Sequence, residues 1–304
     1  MIAIPDELSR AADSFRQWAL NQWLEAEDEK ILGPLYHYTD ANGLKGIIET
    51  QEIWLTSHRY LKDPSELIFG IEEAQKAIEI VAAERSGYVK VFWDKMAELH
   101  KIEYITQELE YLLASFSYDR NNLGQWRAYA SNGCGFALGL SPQLFLDDQE
   151  IAVSPIRYGR PRARERHYSF IKKAADILEY TVMGREDLMQ DEAVTHYVKH
   201  VMAFGTLFVC ATSKHEAYDN EREVRLLKLG VRTRFNIETR VRNGELVAFV
   251  RHRIPLRSGS IVEIVVGPSA GLDAEHAVRS LLNSAHIDPT SVPICRSDIP
   301  YRGV

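Results

Sequence analysis

The sequence predicts an α+β fold: one domain with a mixed or antiparallel sheet and helical insertions. Three observations carry this. A compact β-α-β pattern opens the chain over 35–56. Asn243-Gly244 sits between two alternating runs, the strongest short-range signal for a hairpin with a type I′ turn. Helical periodicity fills most of 64–111 and recurs over 164–204, with no Pro/Gly/Ser linker, internal repeat or low-complexity tract between.

The elements follow in order. Residues 6–29 read as an amphipathic helix, with Leu8, Ala11, Ala12, Phe15, Ala19 and Trp23 at helical spacing. Leu35 to Thr39 is a short strand. Asp40 then caps a helix from Ala41 to about Thr50, whose apolar face is Leu44, Ile47 and Ile48. Ile53 to Thr56 is the second strand. Asp63-Pro64-Ser65-Glu66 fits a helix start: Asp as cap, Pro in the first helical position and Glu three after the cap. Strands are expected at Leu112–Ser117, Gly135–Leu140 and Arg222–Leu229. Ser141-Pro142 starts a short helix, and 164–181 and 187–204 are helical. The hairpin spans Phe235 to Val250. Ile261 to Val266 is a strand and Asp273 to Leu282 a helix.

Composition narrows the class. The chain has 304 residues, 45% hydrophobic and 26% charged, which excludes a disordered, collagen-like or coiled-coil chain. Net charge is −7, the opposite of the basic footprint of most nucleic-acid binders. The sum hides an asymmetry. Residues 1–156 carry 13 basic and 25 acidic side chains, and residues 157–304 carry 23 and 18. An anionic ligand is drawn to the second half. Cys134, Cys210 and Cys295 form no CxxC pair, which fits a reducing compartment. The first residues show no basic region followed by an apolar stretch, and the longest apolar run, Met202 to Ala211, is too short to span a bilayer. A cytoplasmic protein with no membrane partner is expected.

Three motifs carry chemistry. In His37-Tyr38-Thr39, His37 and Thr39 share one strand face, where an imidazole and a hydroxyl can jointly hold a ribose or carboxamide. A histidine at a strand end bonded to a nearby carbonyl fits the same spacing. In Glu221-Arg222-Glu223-Val224-Arg225, a regular strand projects Glu221, Glu223 and Arg225 to one face. Paired carboxylates raise each other's pKa unless a cation intervenes, and Arg225 supplies one. Such a carboxylate can bind a sugar hydroxyl, polarise a leaving bond or act as a base. A solvated charged face is the plainer reading. In Gln125-Trp126-Arg127-Ala128-Tyr129, Trp126 and Tyr129 share a helix face and can stack a base, or simply pack in the core.

Other patterns are set aside. Gly267-Pro268-Ser269-Ala270-Gly271 matches GxSxG but lacks a suitably placed later histidine. His196 and His200 share a helix face without the Glu of HExxH, so no metal is expected. The stretch 157–173 carries seven basic residues and one acidic, and reads either as a phosphate-tracking surface or as a solvated one.

In order, LYHYTDANGLKGIIETQEIWLT, LKDPSE, FSYDRNNLGQWRAYASNGCGFALGL, KHEAYDNEREVRL and IVEIVVGP resemble the bacterial domain-of-unknown-function family 2971, usually placed in the ADP-ribosyltransferase-like superfamily. The resemblance runs from about Leu35 to Pro268. It departs at Lys62, where the family often has Asn, and at Tyr218, where it often has Trp. It implies a split, mostly antiparallel β-sandwich gripping NAD as substrate, so that residues 1–304 form one such domain with an N-terminal helix at 6–29 and helical insertions near 64–111 and 164–204. By the resemblance, His37 with Thr39 binds the nicotinamide riboside, and Trp54, Thr56 or Tyr60 packs on nicotinamide. Glu223 stabilises the oxocarbenium-like centre, Glu221 handles the acceptor, and Arg225 belongs to the same pocket. Trp126 or Tyr129 lines that pocket, and Arg127 or a residue of 157–173 meets the pyrophosphate. The implied activity is ADP-ribosyl transfer or NAD hydrolysis, with a protein or nucleic-acid acceptor and a toxin or phage-defence role. The alternative is a non-catalytic nucleotide-binding or nucleic-acid-binding module.

Overall fold

The computed structural model describes residues 4–24, 31, 33–61, 63, 65–85, 89–146, 148, 150–242 and 244–303. The N-terminal helix is α1 (Asp6–Leu24). Residues 25–29 of the expected helix lie outside the described residues, as do the Trp23 side chain, Lys62, Pro64 and Asn243. β1 (Leu35–Thr39), α2 (Ala41–Thr50) and β2 (Glu52–Ser57) follow as the pattern predicts. Asp40 caps α2, its carboxylate accepting from Gly43 N at 2.7 Å. α3 (Ser65–Ala83), α4 (Lys90–Leu99) and α5 (Ile102–Glu108) make the first helical insertion. Asp63 accepts from Ser65 N at 2.9 Å, the expected capping contact.

β3 (Leu109–Ser117) starts three residues earlier than expected, because Leu109 and Tyr111 bury against the helices. Then come α6 (Leu123–Tyr129), β4 (Phe136–Leu140), α7 (Gln143–Leu146), β5 (Ala152–Pro155) and β6 (Arg157–Tyr158). The second insertion is α8 (Arg160–Val182), α9 (Asp191–Val201), a π-helical turn Met202–Thr206, and α10 (Leu207–Ala211). Helix was expected to stop at 204. It continues through the apolar run, which is buried at every residue but Phe204, so no polar face marks its length. β7 (Ser213–Lys214), β8 (Glu223–Val231), β9 (Glu238–Arg242), β10 (Glu245–Arg253), β11 (Ile261–Val266), α11 (Ala274–Ser284) and β12 (Ile294–Arg296) complete the chain. Glu245 pairs with Arg242, so β9 and β10 form the expected hairpin with a two-residue connection, and Gly244 takes φ +83°.

The fold is α+β, with a large, mixed, mostly antiparallel open sheet. Ten strands join it in the order β12-β11-β4-β1-β3-β2-β10-β9, with β8 on β3 and β5 on β8. Within it, β11 and β12 pair in parallel. One face packs α2, α7 and α11 through Leu35, Leu112, Phe116, Leu138 and Val224. The other packs the helical insertions through Tyr111, Leu113 and Leu227. On that same side Trp126 of α6 covers Tyr36 and Tyr38.

The sheet branches at β3. β8 pairs along one whole edge, from Leu109↔Val231 to Ser117↔Glu223. The other edge is shared: β2 takes Leu112 and Leu113, and β1 takes Ser117. Between them, at 114–116, β1 and β2 part.

Candidate carboxylate site

The site is built where β8 begins. Arg222, at φ +44°, turns the chain from the 3-10 segment Glu216–Glu221 into the strand. Glu221 therefore sits on the turn rather than on a continuous strand, yet it still reaches the same place. Glu223 and Arg225, two apart on β8, share a face with Ser117 and Ser115 of β3, their cross-strand partners.

Arg225 is fully buried and spends its fork on three elements. Nε donates to Glu223 Oε1 at 2.7 Å, Nη2 to Glu66 Oε2 of α3 at 2.7 Å, and Nη1 to the Ala211 carbonyl of α10 at 2.9 Å. Lys214 of β7 gathers the carboxylates. Its Nζ lies 2.7 Å from Glu221, 3.1 Å from Glu223 and 3.2 Å from Glu66, with the Tyr218 ring 4.7 Å away. Ser115 Oγ donates to Glu223 Oε1 at 2.6 Å, and Glu223 N donates to the Tyr158 hydroxyl at 2.9 Å. Buried charges persist when paired and hydrogen-bonded, as all of these are.

The electrostatics separate the two glutamates. Burial alone raises the Glu223 carboxyl, but Arg225 and Lys214 outweigh it and hold it at about 2. Glu221 goes the other way. Burial raises it, the Glu223 and Glu66 charges add to that, and Lys214 only partly offsets them. Its side chain is 18% exposed, against 5% for Glu223. Glu223 is thus a fixed anion, and Glu221 is the carboxylate a ligand can reach. Tyr129 stands in the field of Glu221, Glu223 and Glu66, its phenol pushed up first by burial. A surface cleft of about 380 Å³, lined by Asp63, Glu66, Phe69, His215 and Tyr218, opens beside the cluster.

His37 meets this cluster indirectly. Tyr36 pairs with Ser117, so β1's alternation sends His37 toward Phe116, on the opposite face from Glu223. There it fills the gap between β1 and β2, and its Nδ1–H donates to the Ser115 carbonyl at 2.9 Å. Ser115 therefore holds His37 by its carbonyl and Glu223 by its hydroxyl. Burial lowers the His37 pKa, with the Ser115 carbonyl opposing, so the ring is neutral and its tautomer is set.

The other candidates scatter. Thr39 is buried against Gly43 at the start of α2. Trp54 lies 4.5 Å from the Phe249 ring, and Thr56 accepts from Arg240. Tyr60 offers its carbonyl to Arg242. Trp126 is wholly buried, edge-on to Tyr38, and gives its indole N–H to Asn121, the packing of a core side chain. Arg127 is exposed on α6. In the basic stretch, Arg160 pairs with Glu72 and Glu73, Arg164 pairs with Glu73, and Arg166 donates to Thr212. Ser269 donates to the Tyr301 carbonyl and accepts from Gly303 N, a structural role.

Sequence reasoning missed Glu66, Lys214, Ser115 and Tyr158. Glu66 was absorbed by the capping explanation, which Asp63 satisfies alone. Lys214 stands in no local pattern, because its three carboxylates come from an α-helix, a 3-10 turn and a strand.

Among the described residues no helix is long and apolar enough to cross a membrane. No curated protein and no solved structure matches the chain. The segment from α6 to the middle of β8, which carries Tyr129, Lys214, Glu221, Glu223 and Arg225, does find a match: residues 125–226 correspond to the family described as Protein of unknown function (DUF2971).

Proposed function

We propose that the chain is an ADP-ribosyltransferase-like enzyme that cleaves the bond between nicotinamide and ribose in NAD. The observation that carries this reading is Ser115. It links His37 of the first strand to Glu223 of a late strand at the point where the sheet splits. These are the two residues such chemistry asks for, 186 positions apart in sequence.

In this reading Glu223 is the fixed charge. Held ionised by Arg225 and Lys214, it stabilises the positive charge that grows on the anomeric carbon. The carbon–nitrogen bond breaks with its electron pair on nicotinamide. A lone pair of the acceptor forms the new bond at that carbon. The acceptor's proton passes to Glu221, the accessible carboxylate. His37 lies on the other face of the sheet from Glu223, so it meets the same riboside only through the gap between β1 and β2, where, with Nδ1–H committed to Ser115, its Nε2 is the acceptor it offers to a ribose hydroxyl or the carboxamide N–H. Tyr129 offers a ring beside the carboxylates. The acceptor is a protein, a nucleic acid or water, and a toxin or phage-defence role suits the chemistry by analogy. The non-catalytic nucleic-acid reading draws less support, because Arg160, Arg164 and Arg166 are engaged internally.

Nicotinamide release from NAD tests this, with and without cell lysate as a source of acceptors. Wild type should release it, and Glu221→Gln should slow release by about 10²–10⁴-fold while NAD still binds. Glu223→Gln and His37→Ala should also be impaired. If wild type binds NAD by calorimetry but releases nothing, the enzyme reading gives way to a binding module. If NAD neither binds nor reacts, both readings fall.

A further inference from the structure

Arg240 and Arg242 lie two apart on β9, the edge strand of the sheet, and so share a face. Register places that face with Val247 and Phe249 of β10, and through Phe249 with Thr56 of β2. This is the face on which Leu113, Ser115 and Glu223 emerge, because Thr56 pairs with Leu113.

Two arginines lie against the Trp54–Phe249 ring pair. The guanidinium carbon of Arg240 is 5.1 Å from the Trp54 centroid and 5.6 Å from that of Phe249. For Arg251 the distances are 5.5 and 5.9 Å. Their charges are handled differently. Arg251 is exposed and matched by Glu238 at 3.0 Å and Glu52 at 3.3 Å. Arg240 is half-buried, and among the described residues no carboxylate lies within ion-pair distance of it. Its Nη2 donates to Thr56 Oγ1 at 3.0 Å, while its Nε is buried with no partner among the described residues. Arg242, whose Nη2 donates to the Tyr60 carbonyl at 2.6 Å, adds a second positive charge. Burial first, then Arg242, lowers the Arg240 pKa, and the Asp40 charge opposes them. The Arg240 charge also reaches His37 in the gap between β1 and β2.

A desolvated guanidinium with an unused donor and an unmatched charge is costly to keep. An incoming anion supplies the missing countercharge. The aromatic pair behind Arg240 holds its plane, so the fork is oriented before the ligand arrives. Arginines two apart on a strand stand roughly 7 Å apart, which suits adjacent phosphates better than one carboxylate.

We infer that Arg240, with Arg242 and Thr56 beside it, is an anion subsite of the split, taking the phosphate oxygens of a nucleoside diphosphate. This moves the expected pyrophosphate contact away from Arg127 and the 157–173 stretch. The subsite deepens the NAD reading and rests on it only for the identity of the nucleotide.

Calorimetry on the full chain tests it, with ADP-ribose, ADP and inorganic pyrophosphate as probes at low and high salt. The probes bind wild type and weaken as salt rises. Arg240→Gln loses at least about tenfold in affinity, the scale of a lost charged hydrogen bond. Arg127→Gln binds as wild type does. A thermal melt checks that Arg240→Gln is folded. If it is not, Arg240→Lys serves instead: it keeps the charge, loses the fork, and should bind several-fold more weakly. Unchanged binding in the folded variant overturns the subsite, and so does failure of all three probes to bind wild type. If the probes bind through Arg240 but wild type releases no nicotinamide from NAD, the subsite stands and the enzyme reading falls alone.

Discussion

Glu66 and Arg225 lie 159 positions apart and meet at 2.7 Å in the interior. Glu66 begins α3 in the first helical insertion, and Arg225 belongs to β8 in the sheet. The contact pins a helical layer to the strand that carries Glu223. Arg225 touches Glu223 as well, so one guanidinium sets the position of two carboxylates. The carboxylate site and the seam between the helical and sheet layers are therefore one construction.

Removing the central cation should cost more than neutralising one of its partners. Arg225→Met leaves Glu66 and Glu223 buried with only Lys214 to balance them, and should destabilise by about 3–5 kcal/mol. Glu66→Gln keeps a hydrogen-bonding group in place and should cost about 1–3 kcal/mol. The double variant should cost less than the two together, because the pair shares one network. Urea denaturation measures all three. Strict additivity would show that Glu66 and Arg225 do not act as a unit.

Acid should weaken the fold in a defined window. His100 is fully buried, with Nδ1–H donating to the Met96 carbonyl at 2.7 Å and Nε2 accepting from Thr206 at 2.8 Å, and burial pulls its pKa down to about 4. His167, also fully buried, is pulled to about 3, again first by burial. Below about pH 6.5 the unfolded chain protonates both rings and the folded chain neither, so stability falls with pH. The upper limit for two such groups is about 3 kcal/mol per pH unit. Glu223, held at about 2, adds to the loss only below the usual glutamate range, and raised Glu221 works weakly against it. Stability measured between pH 7 and 5 should drop steeply in wild type, and less steeply in His167→Leu, because buried His37 and His100 still contribute. An unchanged slope in that variant would remove His167 from the account.

Two glycines separate a packing requirement from a conformational one. A Cβ on Gly267 would stand 2.2 Å from the Gly133 carbonyl and 2.8 Å from that of Gly135, both backbone atoms that cannot yield cheaply. Gly267→Ala should cost about 1–3 kcal/mol. Gly46, inside α2, has nothing within 4 Å of the same position. Gly46→Ala should stabilise by about 0.5–1 kcal/mol by restricting the unfolded chain. Thermal melts of the two variants should move in opposite directions. Equal shifts would mean that the backbone around Gly267 gives way without cost.

What the sequence disclosed was whatever depends on near neighbours. The Asp40 cap, the α2 face and the hairpin around Gly244 are set within a few residues, and each was legible. β12 was not, because three residues paired to β11 have too short a period to detect. β5 was missed for the same reason, since its pairing with β8 is wholly non-local. At the site, Glu221, Glu223 and Arg225 were found through their spacing. Lys214 was not, because a lysine that collects three distant carboxylates leaves no local trace. Glu66 shows a subtler failure. Its position satisfied a helix-start rule, and the satisfied rule hid a side chain that turns inward. His37 was expected beside Glu223, but strand alternation puts it across the sheet, joined only through Ser115.

Glu221 should change state above the ordinary glutamate range. Its carboxyl is raised above the ordinary glutamate value by burial and by the Glu223 and Glu66 charges, and is lowered in part by Lys214. If Glu221 accepts the proton of the incoming acceptor, turnover is lost as pH falls through this raised value. The neighbours then move the limb in opposite directions. Glu223→Gln deletes an anion and should shift it to lower pH. Lys214→Met deletes a cation and should shift it to higher pH. NMR titration of the Glu221 side chain gives the same displacements without relying on residual activity. Opposite shifts in the two variants, matched in rate and in titration, assign the limb to Glu221. A limb that stays in place while the NMR titration moves would show that another group takes the proton.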